Sequence, residues 1–277
     1  MINKMTRMVL ILLIGLAWLL PAQAQEGDNE GIARMALITP RDGHDDALIK
    51  AITDYHHWIA NFDGHHVYQW YEILTGRHSG KYIARTGGHN WADFDAEYDW
   101  QKESSEVFEK NVLPHIENAE IWFTREWADF SHWPESFEGY SHYTVETWYV
   151  KNGHYRAFRE GLKKITDSLK AGNYPGYWGV FSVESGGYGN QMELVTANRG
   201  WSDMSEKDPS FSEIMSKALG GEDAYDAFMN EWASTFKTGE GRMVKLMPEA
   251  SDCRDCSSHQ RDAPPIGQSP GASSSST

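Results

Sequence analysis

The sequence predicts an α+β fold of two tandem β-α-β-β-α-β repeats whose four-stranded antiparallel sheets face each other as a barrel within one chain. Three observations predict it. The chain matches itself at an offset of 110 residues, with Gly43-His44 falling on Gly153-His154, Ala47 on Ala157, Gly76 on Gly186, Thr86 on Thr196 and Trp91-x-Asp93 on Trp201-x-Asp203. Each copy carries one apolar stripe at helical spacing. Several strand-like runs are apolar on both faces, unlike a sheet with one wet face.

The elements follow in order. Ile32 to Thr39 and Tyr143 to Lys151 are rich in β-branched and aromatic residues and read as first strands. Leu48, Ile52, Tyr55 and Ile59 then recur at helical spacing, as do Phe158, Leu162, Ile165 and Leu169 in the second copy, and each helix is entered through a Gly-containing turn. Val67 to Leu74 and Lys81 to Thr86 flank Gly76 and Gly80, and Tyr177 to Glu184 and Gln191 to Ala197 flank Gly186-Gly187; both pairs read as hairpins. Asn90-Trp91-Ala92-Asp93 and Gly200-Trp201-Ser202-Asp203 open second helical regions that reach Ile116 and Phe236, the latter lengthened by an insertion around Asp208-Pro209 and Gly220-Gly221. Ala119 to Trp127 and Glu240 to Met247 complete the two split units, which are ferredoxin-like in element order. Val67, Tyr71 and Ile73 point one way and Tyr68, Trp70 and Leu74 the other, so one face must meet helices and the other a second sheet.

This places the repeats at residues 31–130 and 142–249, joined by a linker at 131–141 that contains Trp133-Pro134 and Gly139-Tyr140. Ahead of them, Lys4 and Arg7 precede the apolar run Met8 to Leu20 and the small-residue site Ala22-Gln23-Ala24, the pattern of a cleavable signal peptide over residues 1–24. The expected location is the periplasm or the exterior. That run falls short of the roughly 18 residues a membrane span needs, and no later stretch approaches it. Residues 250–277 are rich in Pro, Gly and Ser and read as a disordered tail. Cys253 and Cys256 lie in that tail, away from the helix N-terminus that activates redox Cys-x-x-Cys pairs, and read as a small disulfide or idle thiols. A formal charge of −15 at pH 7 argues against nucleic acid and anionic lipid surfaces as partners.

The phrase Tyr149-Val150-Lys151-Asn152-Gly153-His154-Tyr155-Arg156-Ala157-Phe158, a strand ending in Val-Lys-x-Gly before a helix, resembles the first strand and helix of dimeric α/β-barrel proteins. Trp91 and Trp201, each opening a second helical region, resemble that superfamily too. It includes antibiotic-biosynthesis-type monooxygenases, haem-degrading enzymes and NIPSNAP-like proteins. The resemblance implies a ligand pocket between a sheet and its helices, which makes Tyr68, Trp70, Arg85, Trp91 and Arg125 the candidate ligand-binding residues. An aromatic pocket holding an Arg suits a planar or anionic ligand. Haem degraders of the superfamily pair that Trp with an Asn on the first strand and a His on the second helix. Here no His lies between Asn90 and Pro114 or between Tyr155 and Ser258, and neither first strand has an Asn in its body, so the haem pattern is not met.

Histidine is concentrated in the first repeat, at His56-His57, His65-His66, His78, His89 and His115, but the spacing fits no established metal site, and no residue set is assigned to a metal. No P-loop, Rossmann loop or Gly-x-Ser-x-Gly elbow occurs. The sequence thus names no catalytic residue and no cofactor. Its leading functional expectation is an exported protein that binds a small aromatic or apolar ligand, with a cofactor-independent monooxygenase or isomerase as the alternative and a protein-interaction module as a further one. If one pocket functions, the first repeat is expected to hold it.

Overall fold

The computed structural model describes residues 30–251. The signal-peptide segment, Cys253, Cys256 and nearly all of the C-terminal tail lie outside the described residues. The first half of the chain runs β1 (Ile32–Pro40), α1 (Asp45–Ile59), β2 (Gln69–Ile73), β3 (Tyr82–His89), α2 (Gln101–Asn111) and β4 (Ile116–Glu126). The second runs β5 (His142–Val150), α3 (Tyr155–Ala171), β6 (Tyr177–Ser185), β7 (Gln191–Asn198), α4 (Phe211–Leu219), α5 (Glu222–Ala233) and β8 (Phe236–Leu246). This order fits two ferredoxin-like units.

The eight antiparallel strands form one closed ring in the order β1-β3-β2-β8-β5-β7-β6-β4. The two four-stranded halves join edge to edge, and their inner faces meet across the ring interior. One seam pairs β2 with β8, Tyr71 opposite Leu246 and Ile73 opposite Val244. The other pairs β4 with β6, Phe123 opposite Ser185 and Glu126 opposite Phe181, with one register shift. Register within the halves follows the sequence offset: Arg85 lies opposite Gln69 and Met35, and Val195 lies opposite Gly179 and Val145.

Alternation along the strands sorts side chains into three cores. Leu37, Tyr71, Ile83, Tyr143, Phe181 and Val244 fill the ring. Outside it, Leu48 and Ile52 of α1 meet Trp70 and Tyr82, and Phe158, Leu162, Ile165 and Leu169 of α3 meet Trp148, Trp178 and Trp232. Each such apolar side chain contributes about 1.5–3 kcal/mol when fully buried.

Three segments depart from the expected elements. The region opened by Trp91 is a single 3-10 turn, Trp91–Phe94, and helix resumes only at Gln101. Between them Trp100 stacks on Tyr98 at 5.3 Å and donates its indole N–H to the Asp63 carbonyl at 3.0 Å, which draws the chain onto the loop after α1. In the second half the expected long helix breaks into α4 and α5 at Gly220, whose φ of +94° closes α4 with a left-handed cap. The linker is no loose connector. His132 exchanges backbone hydrogen bonds with Trp178 at 2.7 and 2.9 Å, Ser141 donates to the Asn198 carbonyl at 3.2 Å, and Trp133, Phe137 and Tyr140 between them are buried in the ring core.

The outer core of the second half is filled to contact. Trp232 donates its indole N–H to the Phe158 carbonyl at 3.0 Å, and a Cβ added at Gly161 would lie 2.2 Å from its Cδ1. Alanine at 161 gains up to about 1 kcal/mol in helix propensity and loses about 1–3 kcal/mol to overpacking. Gly161→Ala is therefore expected to lower the midpoint of urea unfolding, whereas a raised midpoint would show that Trp232 yields freely.

Candidate functional site

The ring interior carries the polar groups that a packing core does not require. A cavity of about 80 Å³ lies there, walled by residues of both halves and of the linker, among them Met35, Ile83, Val145 and Phe181. Its charged lining groups are Arg85 on β3, Glu193 on β7 and Arg242 on β8. Strand parity aims them inward: Gln69 and Tyr71 share a face of β2, and Ile83 and Arg85 share a face of β3.

Glu193 and Arg242 neutralise each other through a 3.1 Å contact from Arg242 Nη2 to Glu193 Oε1, with the two side chains 18% and 6% exposed for Arg242 and Glu193 respectively. The Nε of Arg242 is buried without a partner. Arg85 is half-buried and differs. Its Nη1 donates to Gln69 Oε1 at 3.1 Å, an acceptor it shares with the Tyr71 hydroxyl at 3.2 Å, and it pairs with no carboxylate among the described residues. Its guanidinium lies over Gly87, where a Cβ would stand 2.5 Å from Nη2. Tyr143 packs edge-on to Tyr71 at 5.6 Å, and its hydroxyl makes no hydrogen bond among the described residues. Burial pushes both phenols above their ordinary pKa, partly opposed in each by the Arg85 charge. Both therefore stay protonated at neutral pH, and the Tyr143 hydroxyl can donate to an incoming group. The cavity thus offers one guanidinium without a countercharge, one unused guanidinium N–H and one unused phenol.

Of the five residues predicted from sequence, Arg85 alone lines this cavity. Tyr68 and Trp70 have the opposite parity to Gln69 and Tyr71 and face α1; Tyr68 accepts from Arg34 Nη1 at 2.8 Å, and Trp70 sits in the core with Leu48 and Ile52. Trp91 lies on the outside, 38% exposed, against Phe94 and Phe123. Arg125 spans Glu30 at 3.7 Å and Glu184 at 3.6 Å near the surface. The cavity also belongs to both halves rather than to the first alone. Gln69, Tyr71, Tyr143, Glu193 and Arg242 escaped sequence reasoning, although Glu193 inside the apolar run Met192 to Val195 was a legible signal, since a carboxylate at mid-strand is rarely buried unpaired.

A larger groove of about 680 Å³ runs between α1 and α2 on the outer surface. Its polar groups largely satisfy one another: Lys50 bonds Asp54 at 2.6 Å, Tyr55 bonds Ser104 at 2.7 Å, and His115 Nδ1 lies 3.0 Å from His44 Nδ1. It therefore lacks the convergent unpaired groups of the interior. Among the described residues the outer layer of the second half holds no histidine after His154, and Phe158, Trp178 and Trp232 occupy its space, so these residues do not fit a haem.

The histidines of the first half form a second polar cluster. His89 Nε2 lies 2.7 Å from Thr86 Oγ1, its Nδ1 lies 3.7 Å from Asp93 Oδ2, and its ring faces His66 at 4.6 Å. Among the described residues no three His, Cys, Asp or Glu side chains are grouped to hold a metal ion.

No protein-family model and no curated protein matches the sequence. Solved structures share its fold. A candidate monooxygenase from Fusobacterium nucleatum superposes with a TM-score of 0.50 at 12% identity, over 78% of this chain and 91% of that one. A mutant chlorite dismutase from Candidatus Nitrospira defluvii gives 0.50 at 8% identity, over 80% and 94%. At these identities the likeness establishes the ferredoxin-like dimeric α/β-barrel fold alone.

The buried cluster has a pH signature. Burial, reinforced by the neighbouring His66 and Arg85 and opposed by Asp93, lowers the His89 pKa to about 4. The unfolded chain, with His near 6.5, then binds more protons than the folded one, so stability rises with pH across this window. The His89 contribution is fully present above about 6.5 and is lost as pH falls toward 4. Stability to urea, followed from pH 7 to pH 5, is expected to fall in the native chain and to fall less in His89→Gln; equal slopes would mean that His89 titrates normally in the fold.

Proposed function

We propose that this protein, after export, binds a small organic anion inside its eight-stranded ring, the two halves being repeats of one unit that supply different walls. Export is supported by the charged, apolar and small-residue pattern of the first 24 residues. The observation that carries the binding reading is Arg85, a half-buried guanidinium beside a cavity with neutral partners only. A carboxylate there gains a charge-assisted hydrogen bond from Arg85 and a second bond from the Tyr143 hydroxyl.

Size narrows the ligand. An apolar cavity of ~150 Å³ holds benzene, so about 80 Å³ suits a carboxylate such as acetate better than an aromatic ring. The aromatic ligand expected from sequence therefore ranks second. The oxygenase alternative is supported by the fold shared with a candidate monooxygenase and by Arg85 and Tyr143, which would stabilise a phenolate or enolate. It needs a larger cavity than the ring presents.

Calorimetric titration with acetate and with its neutral isostere acetamide tests the proposal. Acetate is expected to bind and acetamide not, and Arg85→Met to weaken acetate by roughly 10- to 100-fold, the equivalent of about 1.5–3 kcal/mol for a hydrogen bond to a charged group. Equal binding of the two probes, or an unchanged affinity in Arg85→Met, would remove the anion from the reading.

A further inference from the structure

We propose that Trp133 sets the upper size limit of what the ring interior accepts. The two halves are equivalent in register but not in content. Where the first places Gln69 opposite Arg85, the second places Gly179 opposite Val195. The missing side chain at 179 is replaced from the connecting segment: a Cβ added there would lie 1.9 Å from Trp133 Cζ2, so the indole occupies the volume that a residue on β6 would fill.

The indole is held from several sides. Its Nε1 donates to Glu126 Oε1 at 2.8 Å, and its ring lies 5.5 Å from Phe137 and 6.3 Å from Phe181. Trp133 and Phe137 both line the cavity, so the segment forms part of the site wall. Backbone bonds at His132 and Ser141 tie the segment to β6 and β7 at each end, which fixes the indole by two strands of the ring rather than by its own loop. Space now taken by the indole adjoins the existing 80 Å³. Removing a side chain of that size brings the total into the range of the ~150 Å³ cavities that take up benzene. Trp133 thus confines the interior to ligands below one aromatic ring, and a smaller residue at 133 would admit one.

The size limit extends the anion-binding reading without requiring it, because benzene carries no charge for Arg85 to recognise. The test uses the full chain, its Trp133→Ala variant with native circular dichroism as the check of folding, and benzene, benzoate and acetate as probes. Benzene is expected to bind Trp133→Ala at least 10-fold more tightly than the native chain, and benzoate to gain similarly. Equal benzene binding by the two proteins, or none by either, overturns the role of Trp133. If benzene binds the variant alone while acetate binds neither protein, the size limit stands and the anion reading falls. Should Trp133→Ala not fold, Trp133→Phe keeps an apolar ring of smaller volume; a smaller gain in benzene binding is expected, and no gain overturns the proposal.

Discussion

Closure of the sheet is the constraint on which the other features of this protein depend. Either half alone would expose β2 and β4, or β6 and β8, as edges with a row of unpaired backbone groups, and would leave the inner faces of its strands in water. Pairing β2 with β8 and β4 with β6 removes all four edges at once and turns two half-covered sheets into one ring with an inside. The apolar character of both strand faces follows: one face meets α1 or α3, the other meets the interior. The linker obeys the same requirement, since Trp133, Phe137 and Tyr140 supply apolar volume that the strands do not.

An eight-stranded ring is just wide enough for side chains to fill it, so a cavity inside one needs a cause. The two halves line this one unequally. The first half lines it with Gln69, Tyr71 and the unpaired Arg85, and the second with Val145, Val195, Phe181, the indole over Gly179 and the paired Glu193 and Arg242. Hydrogen bonding within the first half holds Arg85 toward Gln69 and over Gly87.

The sequence made the periodic part of this legible. All four residues of the α3 stripe, and Leu48, Ile52 and Ile59 of α1, are buried as expected, and the 110-residue offset reappears as strand register. Strand alternation separates Tyr71 from Trp70 as expected; the expected pocket between sheet and helices lies on the Tyr68 and Trp70 face, whereas the interior cavity lies on the face of Gln69 and Tyr71. Nothing local in a strand says which face turns inward when both faces are apolar; only the partners of the ring decide it. Trp133 is hidden for a related reason, because a Trp-Pro segment between the two halves has no period, and its place depends on a glycine some 46 residues later in the chain. Trp91, a candidate through the resemblance alone, is the first residue of a single turn capped by Asn90 and lies on the outside, away from the cavity.

Arg85 can be weighed against two comparisons within the same molecule. Arg242, its neighbour across the cavity, is matched by Glu193, the arrangement expected of a charge held largely out of water, where removing one partner costs more than the pair is worth. Val195, its counterpart in the second half, shows that the ring closes equally well with an apolar residue at that position. Neither closure nor charge balance therefore requires a guanidinium at 85. A stability argument alone predicts valine there, or an acidic residue within reach; the protein has instead an amide acceptor, two protonated phenols and a cavity. On the proposed reading, a countercharge supplied from outside would complete this arrangement, and the confinement proposed for Trp133 would restrict that countercharge to a small molecule.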